Sequence, residues 1–109
     1  MRRSLLAFAV LLSFCGALQA DTVRVALAAN FAGPMREIAR LFELESGHHV
    51  EMAVSSSGKI YAQISHGAPF DVFLSADQSK PAALVAKGLA VADSQFSYAL
   101  GRLVLWSTN

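Results

Sequence analysis

The spacing of apolar residues in this chain switches from two to about three and a half at Asn30, and the same switch recurs further along. Over residues 23–29, Val23, Val25 and Leu27 alternate with Arg24, Ala26 and Ala28, the pattern of a strand. Beyond Asn30, residues Phe31, Met35, Ile38, Ala39 and Phe42 fall at helical spacing, with Arg36, Glu37, Arg40 and Glu43 on the opposite face. Pro34 suits the first turn, where a missing N–H costs nothing, and Gly47 supplies a left-handed stop. Val50, Met52 and Val54 then alternate with Glu51 and Ala53 in a second strand. The run Ser55-Ser56-Ser57-Gly58 leads into a short helix carrying Ile60, Tyr61 and Ile64, which Gly67, Ala68 and Pro69 break.

Residues 71–75 make a third strand, apolar enough for the centre of a parallel sheet. Asp77 is placed to cap the next helix, with Pro81 near its start, Leu84 and Val85 inside, and Lys87-Gly88 closing it. Residues 98–106 read as a last strand. Alternating strands and helices build an α/β fold, a mostly parallel sheet covered by helices and joined by right-handed crossovers. Ligands of such sheets sit beyond the carboxyl ends of the strands. Asn30, residues 55–58 and residues 75–77 are expected along that edge.

Residues 1–20 have the layout of a secretory signal peptide: Arg2 and Arg3, an apolar run over residues 5–14, then small and polar residues. The run is shorter than the roughly 20 residues of a membrane-spanning helix. Cleavage is expected after Ala20, with Ala17 as the alternative; bulky Phe14 argues against lipid attachment at Cys15. Removing the leader takes away Arg2 and Arg3 and no acid, so the net charge moves from +1 to −1. Nucleic acid is an unsuitable partner for such a chain, because phosphate binding needs clustered Lys and Arg. Cys15 is the sole cysteine, so residues 21–109 hold neither a disulfide nor a thiolate nucleophile. The roughly 89 remaining residues suffice for one small domain. They end in an apolar stretch with no covering element behind it, and the chain is therefore expected to be a fragment of a longer protein.

Two helix starts, at Asn30 and at Ser57, carry the candidate site. Unpaired backbone N–H groups and a partial positive charge make a helix start favourable for an anion. Asn and Ser add neutral donors, and Gly58 permits close approach of backbone to a ligand. Ser57 is the first choice among the serines, with Ser56 as the fallback. The same residue types are also ordinary N-caps, and the sequence alone leaves capping and binding both open. His48 and His49 read as solvated turn residues without the convergent partners that a metal needs. His66 suits a helix end, and Lys59 an exposed first turn. No Gly-x-Ser-x-Gly, P-loop or nucleophilic cysteine is present, so catalysis has no candidate residue.

Three blocks carry a family resemblance: Val25-Ala26-Leu27-Ala28-Ala29-Asn30-Phe31, Ser55-Ser56-Ser57-Gly58-Lys59-Ile60-Tyr61-Ala62-Gln63-Ile64, and Gly67-Ala68-Pro69-Phe70-Asp71-Val72-Phe73-Leu74-Ser75-Ala76-Asp77. In this order they resemble the periplasmic molybdate-binding proteins of ABC importers. The resemblance implies a type II periplasmic binding protein-like fold, of which residues 21–109 form the first lobe, a mostly parallel sheet with helices on both faces. It implies a monomeric receptor, without cofactor or enzymatic activity, that closes on molybdate or tungstate and docks on a membrane permease. The first-lobe ligands then fall on Asn30, where many members have Ser, and on Ser57. The remaining ligands, a tyrosine hydroxyl among them, belong to the second lobe. A pocket of donors alone suits a fully ionised dianion, whereas protonated phosphate would bury an unpaired O–H at a cost of about 1–3 kcal/mol. Receptors for sulfate, thiosulfate or ferric iron on the same fold are the alternative, the last disfavoured because Tyr61 and Tyr98 are not adjacent. A secreted α/β enzyme with its catalytic residues elsewhere is the alternative from another class.

Overall fold

The computed structural model describes residues 19–108. The expected leader, residues 1–20, lies almost wholly outside the described residues. Strand β1 (Thr22–Ala28) leads through a 3-10 turn (Ala29–Phe31) into α1 (Ala32–Ser46). Then follow β2 (His49–Ser55), α2 (Ser57–Ser65), β3 (Val72–Leu74) and α3 (Ser79–Ala86). The sheet is parallel in the order β2-β1-β3.

Central position explains the composition of β1. Val25 and Leu27 join Ala32, Met35 and Ala39 of α1 in one buried cluster, edged by Val23, Phe31, Val50, Met52 and Leu74. On the other face Ala26 and Ala28 are also buried, and their small side chains let α2 approach β1 closely. Ile60 of α2 and Leu84 of α3 are fully buried on the helical layer there. A strand covered on both faces keeps few polar positions, and the two in β1, Thr22 and Arg24, lie in its exposed first half.

Asp71 extends the β1–β3 pairing by one residue. Its backbone N–H donates to the Arg24 carbonyl at 2.9 Å, and its Oδ2 accepts the Arg24 N–H at 2.8 Å. Helix α1 stops where expected: Gly47 takes a left-handed φ of 71° and returns its N–H to the Glu43 carbonyl at 2.9 Å. Glu43 then fastens the chain reversal, its Oε1 accepting the Val50 N–H and the His49 Nδ1–H, each at 2.7 Å.

Three expectations are corrected. The third strand is not central; β3 has three residues and lies at an edge of the described sheet, with Val72 exposed. His49 is no turn residue but the first of β2, paired with Thr22. Residues 98–106 form no strand. Both sides of β1 are taken by β2 and β3, and Leu100, Leu103, Val104, Leu105 and Trp106 stay exposed. What fixes the segment just before them is side chains. Gln95 Nε2 donates to the Gln78 carbonyl, Gln78 Nε2 to Ser97 Oγ, and the Tyr98 hydroxyl to the Ser75 carbonyl, each at 3.0 Å.

Candidate functional site

Register sets the level of the three strand exits. Ala28 pairs with Ser55 and Leu27 with Leu74, so Ala28 and Ser55 end their strands side by side, with Ser75 the first residue past β3. Asn30 and Ser57 each lie two residues beyond the paired Ala28 and Ser55. The structure therefore brings both sequence candidates to the same edge of the sheet.

The serine pair divides its work. Ser56, in extended conformation, is the N-cap of α2, and its Oγ accepts the Lys59 N–H at 3.3 Å. Ser57, the first helical residue, is buried, and its Oγ accepts the Ala76 N–H at 2.9 Å. A serine hydroxyl has one donor and two acceptor positions. With an acceptor position used by Ala76, the Ser57 proton is available to donate elsewhere. The Ile60 N–H bonds the Ser56 carbonyl, which leaves the N–H groups of Ser57 and Gly58 at the open mouth of the helix.

Asn30 sits in the 3-10 turn, exposed, and caps neither that turn nor α1. Its amide has no hydrogen bond to any described residue. A cleft of about 1230 Å3 opens beside it, lined by Asn30, Phe31, Ser75, Ala76, Asp77 and Tyr98 among others. Ser57 is not in that lining and is joined to it through its bond to the Ala76 N–H.

The third exit is held by Asp77, whose side chain caps α3 from one residue before the N-cap position, Gln78. Its Oδ1 accepts the Lys80 N–H and the Ser79 hydroxyl, both at 2.9 Å, and its Oδ2 meets Lys80 Nζ at 2.7 Å. These bonds, the Lys80 ammonium first, hold the carboxyl down at about 2. The Asp77 and Lys80 charges cancel, and Lys59 points into solvent. The strand exits thus offer neutral donors and no concentrated charge.

Two histidines and the Tyr61–Lys87 pair are engaged elsewhere. His48 Nδ1 accepts the Asp21 N–H at 3.1 Å, and His66 Nδ1 lies 2.7 Å from the Ala62 carbonyl at the end of α2. Lys87 Nζ donates to the Tyr61 hydroxyl at 2.6 Å and lowers its pKa. Among the described residues no three of His, Cys, Asp or Glu converge as metal ligands.

Sequence reasoning missed Ala76 and Tyr98. The Tyr98 ring packs edge-on against Phe31, centroids 4.9 Å apart, while its hydroxyl reaches Ser75. Burial raises its pKa. A lone tyrosine heading an apolar stretch was the available signal, and it gave no partner.

Residues 23–109 match the family model of bacterial extracellular solute-binding proteins. The chain belongs to that family. Among solute-binding proteins, the chain is similar to molybdate-binding protein ModA of Azotobacter vinelandii, 50% identical over 93 residues, which cover 85% of this chain and 37% of that protein. Its counterpart from Rhodobacter capsulatus is 46% identical over 109 residues, covering 100% of this chain and 43% of that protein. The chain thus spans less than half the length of these curated relatives. The solved periplasmic molybdate-binding protein of A. vinelandii superposes with a TM-score of 0.68 at 42% identity, covering 70% of this chain and 33% of that one. A substrate-binding domain assigned to a molybdenum ABC transporter of Clostridium difficile gives 0.59 at 26% identity, covering 62% and 30%. The expected fold class, a type II periplasmic binding protein-like α/β lobe, agrees with these matches and with the parallel β2-β1-β3 sheet.

Proposed function

We propose that the full-length protein is the periplasmic receptor of an ABC importer and binds molybdate, with tungstate as a second ligand. Residues 1–20 are the cleaved leader, residues 21–109 the first lobe, and the second lobe supplies the opposite wall of the cleft. The protein acts as a monomer that hands its oxyanion to a membrane permease; it carries no cofactor and catalyses nothing. One observation carries this reading. Asn30 and Ser57 stand at equal height on neighbouring strand exits, and Ser57 Oγ accepts the Ala76 N–H, which leaves its own proton free to donate. Asn30, Ser57 and the helix-start N–H groups can all donate, which suits a dianion with no proton of its own. Cancellation of Asp77 by Lys80 leaves selection to neutral hydrogen bonds. The names of the relatives supply the choice of molybdate within this class of anion.

Calorimetric titration of the full-length protein tests the reading. Molybdate and tungstate should bind tightly at one site, and sulfate weakly. Equal competition by sulfate would overturn the molybdate assignment. Ser57→Ala should weaken molybdate binding more than tenfold, about the loss of one hydrogen bond to a charged group. Unchanged affinity would return Ser57 to a purely structural role.

A further inference from the structure

The peptide between Ser75 and Ala76 is bonded on both sides, and its two partners belong to different parts of the chain. Its carbonyl accepts the Tyr98 hydroxyl at 3.0 Å. Its N–H donates to Ser57 Oγ at 2.9 Å. A trans peptide points these groups in opposite directions, so it spans the gap between Tyr98 and Ser57. The same Tyr98 ring rests against Phe31, the neighbour of Asn30.

From this arrangement we infer that Tyr98 is a positioning residue for the oxyanion site, acting on Ser57 through the Ser75–Ala76 peptide and on Asn30 through Phe31. The inference rests on the receptor reading above, because the direction of the relay matters only if Ser57 donates to an anion. Bonds in a chain polarise one another. Donation by Tyr98 draws electron density toward the Ser75 oxygen and makes the Ala76 N–H a stronger donor. That N–H in turn draws density from Ser57 Oγ, and the Ser57 O–H becomes a better donor to a negative ligand. The same bonds fix rotation: a Ser57 hydroxyl that accepts from Ala76 keeps its proton turned away from the peptide. Two neighbouring contacts hold the peptide in place, Ser75 Oγ accepting the Asp77 N–H at 3.3 Å and Gln78 Nε2 reaching Ser97 Oγ at 3.0 Å. The Tyr98 hydroxyl is already committed to the Ser75 carbonyl.

Tyr98→Phe in the full-length protein tests the relay, since it keeps a ring against Phe31 and removes only the O–H. Molybdate affinity should fall about threefold to tenfold, the net worth of one hydrogen bond. The decisive readout is a double-mutant cycle. In a Ser57→Ala background the cost of Tyr98→Phe should shrink below about twofold, because the relay then has no end. Equal costs in both backgrounds would overturn the relay and show Tyr98 to be merely structural. A second measurement needs no ligand. The Ala76 amide proton resonance should move upfield in Tyr98→Phe, as its hydrogen bond weakens, and an unmoved resonance would also overturn the relay. If the wild-type protein bound no oxyanion at all, the receptor reading would fail, and the Ala76 resonance would still decide the relay.

Discussion

Ser57 and Ala76 are joined across the strand exits, the hydroxyl oxygen of one accepting the backbone N–H of the other at 2.9 Å. The adjacent Ser56 hydroxyl turns instead along its own helix, to the Lys59 N–H. Two neighbouring serines with the same side chain therefore answer to different demands, one between elements and one within a helix. Ser56→Ala should lower stability by about 1 kcal/mol, the usual loss of an N-cap, and change oxyanion affinity by less than about twofold. Ser57→Ala should lower both, since it also strips a partner from the Ala76 N–H at about 1–3 kcal/mol. Thermal melts beside titration calorimetry separate the two. If Ser56→Ala lost as much affinity as Ser57→Ala, the division of labour would be wrong.

Gly58 gives a prediction of opposite sign for stability and binding. A Cβ added there meets only Lys80 Cε, at an ordinary 3.8 Å, and the residue needs no left-handed backbone. Nothing inside the fold calls for glycine at this helical position. Gly58→Ala should therefore stabilise by up to about 1 kcal/mol, the helix preference of alanine. Affinity for molybdate should nevertheless drop, because the methyl group stands at the helix mouth where the anion would approach backbone N–H groups. Denaturant unfolding and calorimetry on one variant read both. Unchanged affinity would place the anion farther from Gly58.

Asp77 sets a dependence on acid. Its folded-state pKa, about 2, lies below the ordinary 3.8. A depressed carboxyl contributes stability that is complete above about pH 4 and is lost as pH falls through about 2. With 38% of the side chain exposed, water screens the pair with Lys80, and the contribution is about 0.5 kcal/mol. Asp77→Asn still caps α3 but cannot titrate. The wild-type advantage over this variant, followed by melts between pH 5 and pH 2, should shrink steadily with acid. A constant difference would mean that the Lys80 contact adds nothing.

Legibility from sequence followed the range of the interactions. The change of period at Asn30, the stop at Gly47 and the cap at Asp77 are local, and each stands in the structure. Burial of β1 on both faces was also readable, since Val25, Ala26, Leu27 and Ala28 leave no polar face. The position of β3 was not, because an apolar run of three residues looks the same at an edge as at a centre. Residues 98–106 have strand composition but pair with no strand among the described residues, and pairing is not a property of one segment. Asn30 and Ser57 were singled out by their place after strands, and both stand at the strand exits. Ser56 as the actual cap required a resolution of one residue, and helix boundaries do not carry that. Ala76 and Tyr98 act through contacts 19 and 23 residues distant, and nothing in their own side chains marks the partner.

The fastening of residues 95–98 has a consequence for solvent exchange. Side chains of Gln78, Gln95 and Tyr98 hold that segment, while its backbone N–H groups have no backbone acceptor among the described residues. Exchange with deuterium reports on the amide proton, not on whether a residue stays in place. Amides of residues 95–98 should thus exchange as fast as those of a loose loop, even though the Tyr98 ring remains seated on Phe31. Labelling and side-chain order will disagree here, and a map of protection alone would draw the boundary of the folded lobe too early.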